Sequence, residues 1–571
     1  MLRADEAAIG YVPHRTHPLP APLPATLVAF YLPQFHPFAE NDAWWGKGFT
    51  EWRNVTRALP QFEGHIHPRL PADLGFYDLR NPQVMRDQAR LASEYGIGAF
   101  CFYYYWFSGT TLMEAPLRQW LADDSIDLPF CLCWANENWA RRWDGRDEDI
   151  LIGQRHSAED DLAFIAHVAD YLRDRRALKV DGKPMLLVYR PHLLPDARAT
   201  ADRWRQWCLD NGIGEIHLAY VQGFERPDPR DIGFDAAVEF PPNMSNPRSL
   251  TADQYLINPD FQGDVRDWRE LATEIAARPL PAYKLYPGVN PGWDNEARRS
   301  SKGRVYLHAS PRGYRDWLQA TVHDRLAAVP PKQRLVFINA WNEWAEGAVL
   351  EPDARLGHAW LQATRQALSS RPSVTGLTAA LLVLVNNEAM AAAAWNEARS
   401  RGIECRVLIP GAQRPLGAPE EIMAYGTTFL PQALAALEDL LHQGATVVRW
   451  WDGRNRADGA TIFSDEAWNT GLELLCQQQR GGLVDLSAEQ SVAPSIHHER
   501  WAVRLGLTGP VQTSAAPTDA WLRLEALRPL MDAHLYPSQL QDMMECTALC
   551  ELLPSIIEHS GFERHSLLPG P

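Results

Sequence analysis

Leu335–Gly347 reads L-V-F-I-N-A-W-N-E-W-A-E-G. Its first four residues are apolar and β-branched or aromatic, as a buried strand requires, and its end carries Trp341, Asn342, Glu343, Trp344 and Glu346. A three-residue spacing aims Glu343 and Glu346 the same way only if the chain turns beyond the strand. An exposed acidic turn capping the next helix is the plain alternative. The tryptophans beside the acids favour a buried carboxyl pair, in which burial and mutual repulsion push the two pKa values apart. One group can then donate a proton while the other accepts one, which is the equipment of sugar chemistry.

The same pattern recurs upstream. Strand-like runs fall at Leu27–Leu32, Ala99–Tyr105, Phe130–Trp134, Met185–Tyr189, His217–Val221, Ala236–Phe240, Tyr283–Val289 and 335–339. Helix-like stretches lie between them at Pro82–Tyr95, Ala158–Arg176, Ala199–Asn211 and Tyr314–Val329, with a closing helix near Leu356–Leu368. Eight strands alternating with helices predict a (β/α)8 TIM barrel over residues 26–370, with residues 243–281 as a long insertion in place of a clean helix. Residues 1–25 read as a loose leader, acidic where a secretory signal would be apolar, which points to a cytoplasmic protein.

Barrel chemistry sits at the carboxyl ends of the strands, and there the polar and aromatic groups collect. The candidate substrate-binding set is Tyr31, Gln34, His36, Trp44, Trp45, Glu51, Tyr105, Trp106, Trp134, Asn136, Glu137, Trp139, Arg142, Tyr189, Arg190, Glu239, Trp293, Asp294, Trp341 and Asn342, around the catalytic candidates Glu343 and Glu346. Taken singly, His36 reads as a packed histidine, and Glu137 and Glu239 as partners of Arg142 and Arg190 in a structural network. Together, acids and aromatics at nearly every strand end form one constellation. No phosphate loop, metal cluster or nucleophile elbow competes with it, so neither metal nor cofactor is expected.

The bulk numbers agree. At 571 residues the chain exceeds one core, and a net charge of -16 disfavours nucleic acid or an anionic membrane as partner. No run approaches the roughly 20 apolar residues a membrane span needs. Eight cysteines without metal-like spacing read as buried free thiols, and 22 tryptophans supply flat faces for pyranose rings as well as core.

Residues 30–37 (F-Y-L-P-Q-F-H-P), 44–52 (W-W-G-K-G-F-T-E-W), 100–107 (F-C-F-Y-Y-Y-W-F), 133–139 (C-W-A-N-E-N-W) and 339–347 (N-A-W-N-E-W-A-E-G) resemble the WbsX-like family, related to glycoside hydrolase family 99. The resemblance covers about residues 26–370 and implies a barrel with retaining, endo-acting, α-mannosidase-like chemistry. It further implies Glu343 as the base that deprotonates the sugar's own 2-hydroxyl, giving a 1,2-anhydro sugar, and Glu346 as acid and later base. The expected partner is a carbohydrate polymer or lipid-linked oligosaccharide of a bacterial surface. The alternatives are a glycosyltransferase of O-antigen or capsule biosynthesis and a non-catalytic glycan-binding protein.

Beyond Ser370, short strands alternate with helices: Leu377–Val385, Ala389–Arg401, Cys405–Ile409, Leu430–His442, Thr446–Trp450, Glu466–Gln479 and Leu483–Leu486. That predicts a smaller Rossmann-like α/β domain over 371–571, with a helical tail from Asp519. V-N-N-E-A at 385–389 and V-V-R-W-W-D-G-R at 447–454 resemble a GT-A type glycosyltransferase domain. Only Asp452 stands where that type carries an aspartate pair, which leaves the domain inactive, metal-independent or unrelated.

Overall fold

The computed structural model describes residues 4–141, 146–369, 378–452, 454, 481–485, 492–515 and 519–566. The chain forms two compact units, Val12–Ser370 and Met1–Tyr11 with Arg371–Pro571.

In the first unit, β1 (Thr26–Tyr31), β2 (Ile97–Phe107), β3 (Phe130–Trp134), β4 (Lys183–Val188), β5 (His217–Gln222) and β6 (Ala236–Glu239) pair in parallel, each with the next. The seventh run splits into β7 (Leu285–Tyr286), which pairs β6, and β8 (Gly288–Val289), which pairs β9 (Leu335–Ile338). Since β9 also pairs β1, the sheet closes into a (β/α)8 barrel. Gly288 sits where the run divides; a Cβ there would meet the Glu239 carbonyl oxygen at 2.2 Å.

Helices cover the outside, among them α1 (Pro82–Glu94), α2 (Ala158–His167), α3 (Ala197–Asp210), α4 (Pro311–Ala320) and α5 (Ala359–Leu368). Their starts follow capping chemistry: the side chains of Asn81, Ser157, Asp196 and Ser310 accept first-turn N–H groups. The predicted insertion is not loop alone. It holds the strand Asp264–Asp267, which pairs Arg304–Leu307, and the helix Trp268–Ala276.

In the second unit, β10 (Ala379–Leu384), β11 (Glu404–Pro410), β12 (Ile422–Tyr425), β13 (Val447–Asp452), β14 (Gly481–Asp485), β15 (Asp519–Arg523) and β16 (Glu563–Ser566) form one sheet in the order β12-β11-β10-β13-β15-β14-β16. The first four are mutually parallel, and β15 runs antiparallel to both neighbours. Alternation along β10 feeds two cores. Leu381 and Val383 pack with Ala391, Ala394 and Ala398 of α6 (Glu388–Ser400), while Leu382 and Leu384 pack with Leu434 and Leu437 of α7 (Leu430–His442). The sheet is Rossmann-like, as expected, with two corrections. The tail from Asp519 is not all helical, because Ala520, Trp521 and Leu522 are all buried in β15, and a strand covered on both faces shows no alternation to read. Residues 4–11 are not a loose leader: Ile9 N–H donates to the Leu535 carbonyl at 2.9 Å, and Glu6 accepts from the Ser538 hydroxyl at 2.6 Å. The predicted helix Glu466–Gln479 lies outside the described residues. Among the described residues, no helix is long and apolar enough to cross a membrane.

Candidate active site

Beyond β9 the chain turns as the spacing of its acids requires. Asn342–Glu343 pairs with Ala348–Val349, and Trp344–Glu346 forms a single 3-10 turn between them. With three residues per turn, positions 343 and 346 eclipse, so both carboxylates leave on one side. Gly347 completes the turn at φ 64°, and a Cβ there would meet the Asp294 backbone nitrogen at 2.9 Å. Glycine is therefore required twice, by backbone angle and by space.

The two acids converge on one cation. Arg298 binds Glu343 at 2.9 Å, Glu346 at 2.5 Å and Glu51 at 2.7 Å, while its side chain is 13% exposed. Three carboxylates thus share one guanidinium. Burial pushes Glu343 up to about 8 against the pull of Arg298, and Glu346 is raised for the same reasons. Burial alone would lower Arg298, but the charges of Glu51, Glu346 and Glu343 hold it well above its usual value. Burial and mutual repulsion thus both favour keeping a proton between Glu343 and Glu346. Glu51 Oε2, Gln34 Nε2 and His36 Nδ1 are buried without partners.

Arg298 was not among the sequence candidates, although its neighbours Trp293 and Asp294 were. The usable signal was charge balance: acids gathered at strand ends need a cation, and Arg298 and Arg299 close the same motif. Asp294 anchors this loop. His65 and His67 each present Nε2 to its Oδ2, at 2.8 and 2.7 Å, and its Oδ1 accepts the Glu296 N–H at 3.1 Å. Burial would raise Asp294, but the two histidines outweigh it and hold the carboxyl well below its usual range. These three residues form the one grouping with metal-like spacing among the described residues. His65 Nδ1 accepts the Gln61 N–H at 3.1 Å, so its Nε2 keeps a proton and donates it to Asp294. A metal would need that nitrogen bare. The donor set is committed to bracing the loop.

The remaining candidates divide by the side of the barrel they face. Along β2, the charge of Glu343 acts on Tyr103 and Tyr105, while Trp106 turns outward and donates to Asp160 at 2.9 Å. Tyr105 meets Trp139 edge-on at 5.2 Å, and Trp139 meets Trp44 at 5.9 Å, which makes an aromatic wall beside the acids. Glu137 is ion-paired to Arg190, and the charges of Glu137, Glu346 and Glu343 all reach the hydroxyl of the half-buried Tyr189. Those residues the structure brings together.

Others it does not. Tyr31 donates to Gln88 of α1 at 2.7 Å; Trp134 stacks on Phe164 of α2 at 4.5 Å; Trp341 packs on Phe100 at 5.1 Å. Trp45 packs on Phe49 at 6.0 Å, and His36 lies against Phe38 at 5.7 Å. Asn136 and Asn342 are clamps, the first bonded twice to the Arg190 backbone and the second twice to the Leu32 backbone. Glu239 is gripped by both terminal nitrogens of Arg325, at 2.5 and 2.8 Å, and accepts the Gly288 N–H. Its expected pairing with Arg190 or Arg142 is corrected accordingly. Trp293 is half-buried in the short strand paired with Tyr306, and Arg142 lies outside the described residues.

The profile of the family described as "Glycosyltransferase WbsX" matches residues 27–364. A protein of Xanthomonas campestris pv. campestris, described as "Uncharacterized protein WxcX", is 57% identical over 581 residues, covering 94% of this chain and 83% of that protein. Among solved structures, a GH99 endo-alpha-mannosidase from Bacteroides thetaiotaomicron is similar at 14% identity and a TM-score of 0.36, over 60% of this chain and 95% of that one. A "Glycoside hydrolase-like protein" is similar at 16% identity and a TM-score of 0.38, over 63% and 97%.

Proposed function

The chain belongs to the WbsX glycosyltransferase family, a carbohydrate-active family, and from that premise we propose a retaining, endo-type glycoside hydrolase of a bacterial surface polysaccharide or lipid-linked glycan, working in the cytoplasm. One observation carries the reading: three carboxylates, two of them buried, on a single guanidinium beside a wall of aromatic rings.

In the reacting form the proton that the pair shares sits on Glu346, so that Glu343 takes the proton from the sugar's 2-hydroxyl and the freed oxygen attacks C1 as the C1–O bond to the leaving group breaks. Glu346 gives its proton to the departing oxygen. In the second half Glu346 takes a proton from water, the water oxygen opens the 1,2-anhydro ring at C1, and Glu343 returns its proton to O2. The division of labour follows exposure: the Glu346 side chain is 21% exposed and that of Glu343 6%, so Glu346 suits the step that exchanges leaving group and water with solvent. Such neighbouring-group routes are recognised alternatives to a protein nucleophile.

A panel of defined bacterial polysaccharides incubated with the protein in 18O-water tests this. The expected result is shortened chains carrying one 18O at the new reducing end, and resistance of a 2-deoxy analogue. Normal cleavage of that analogue with Glu343 still essential would remove the 2-hydroxyl route. A glycosyltransferase is the second reading, favoured by the family's description and by the Rossmann-like second unit. Chain extension with UDP- or GDP-sugars, in place of shortening, would select it.

A further inference from the structure

Phe224, in the loop after β5, is 47% exposed, yet it is held from several directions. The Arg190 guanidinium lies over one face of its ring, 4.0 Å from the centroid, and Tyr189 meets it edge-on at 5.9 Å and 86°. Arg190 is ion-paired to Glu137 and donates to His192 Nε2 at 2.9 Å. That bond makes Nε2 the acceptor, so Nδ1 carries the proton and donates to Glu225 at 2.7 Å. Glu225 follows Phe224 in the chain and also accepts the His192 backbone N–H at 3.0 Å. Glu137, Arg190, His192 and Glu225 thus form a polar chain across the ends of β3, β4 and β5, and it fixes one phenyl ring with a face toward solvent.

Two tyrosine rings link Phe224 to the acids. Tyr189 touches Phe224 on one side and meets Tyr103 edge-on, at 6.3 Å and 86°, on the other. Tyr103 in turn lies within reach of the charge of Glu343. Within this linkage, Arg190 Nε is buried without a partner.

We propose that the face of Phe224 opposite Arg190, with the Glu137–Arg190 pair beside it, is a second sugar subsite, which takes the C–H face of the uncharged pyranose next to the one at Glu343 and Glu346. An aromatic face accepts the apolar face of a sugar ring, and Glu137 and Arg190 offer acceptor and donor to its hydroxyls. Glu137 and Arg190 neutralise each other, which suits a ring without carboxylate or phosphate. Fixing the ring beforehand removes the cost of ordering it on binding. The inference deepens the proposed function and rests on it, since a polymer cut internally needs more than one sugar held.

The test uses the full-length protein and lipopolysaccharide O-chains broken by mild acid and fractionated by length. Wild type is expected to bind fragments of several sugars at least about tenfold more tightly than the shortest. Phe224→Ala should bring the longer fragments down to the affinity of the shortest, and Phe224→Trp should keep the length dependence. Circular dichroism and melting temperature verify that both variants are folded. An unchanged length dependence in Phe224→Ala overturns the subsite while leaving the hydrolase reading in place. Wild type that neither binds nor cleaves a fragment of any length overturns both.

Discussion

Glu239 closes β6 and Glu343 lies five residues beyond β9; both are about 95% buried, and both touch an arginine. Sequence position treats them alike. Glu239 has Arg325 for both oxygens and a backbone N–H besides, so its charge is fully matched. Glu343 shares one guanidinium with Glu51 and Glu346. A carboxylate with a guanidinium to itself, and Arg278 a further 3.7 Å away, makes a structural pair, whereas one guanidinium among three carboxylates leaves negative charge unmatched, and Glu343 and Glu346 are raised.

The strongest way to break the comparison is to neutralise each acid in turn. Glu346→Gln should lower turnover of the natural polymer by roughly 100- to 10,000-fold, with a milder loss on an activated aryl glycoside, whose leaving group needs no proton. Glu343→Gln should lose as much on both substrates. Equal losses for Glu346→Gln on polymer and aryl glycoside would remove it from the acid role.

Glu239→Gln should act on stability and not on rate. It strands the buried Arg325, and chemical denaturation should report a loss of about 3–5 kcal/mol with kcat within about twofold of wild type. A large fall in kcat in a folded Glu239→Gln protein would return that residue to the active site.

pH sharpens the same contrast. Activity should fall as pH rises through about 8, where Glu343 and Glu346 give up the proton they share, and again at low pH as both carboxyls become protonated. A flat kcat/KM profile across pH 5–9 would contradict a proton held among these residues.

The smallest effect is on stability. Folding raises the Glu343 pKa from its ordinary 4.5 to about 8, so the folded state binds more protons than the unfolded one between those values. Wild-type stability therefore falls as pH rises through this window, and the penalty is complete above it. Glu343→Gln should remove that slope and melt about 2–4 °C above wild type at pH 8, with little difference at pH 4. A variant less stable than wild type at pH 8 would show that the Arg298 contact outweighs the repulsion.

Much of the barrel was legible in the chain, because a strand followed by a helix leaves a run of apolar residues and a turn at each crossing. The runs at 27–32, 130–134 and 217–221 lie within about a residue of β1, β3 and β5. The split of the seventh run at Pro287, the strand Ile422–Tyr425 and the strand at Asp519 were not legible, because short or fully buried strands carry no period. Facing was the larger loss. Tyr105 and Trp106 are equally aromatic, and only the sheet's position decides which sees the acids and which sees α2.

The sequence by itself determined the alternation that closes the barrel, the spacing that sets Glu343 beside Glu346, and the glycine that ends their turn, because each depends on residues near one another in the chain. Only the tertiary structure decided which acids share a cation and which own one. Arg298 lies 247 positions from Glu51, and Arg325 lies 86 from Glu239. The charge balance of a buried carboxylate is set by neighbours brought across the barrel, and no local pattern records who they will be.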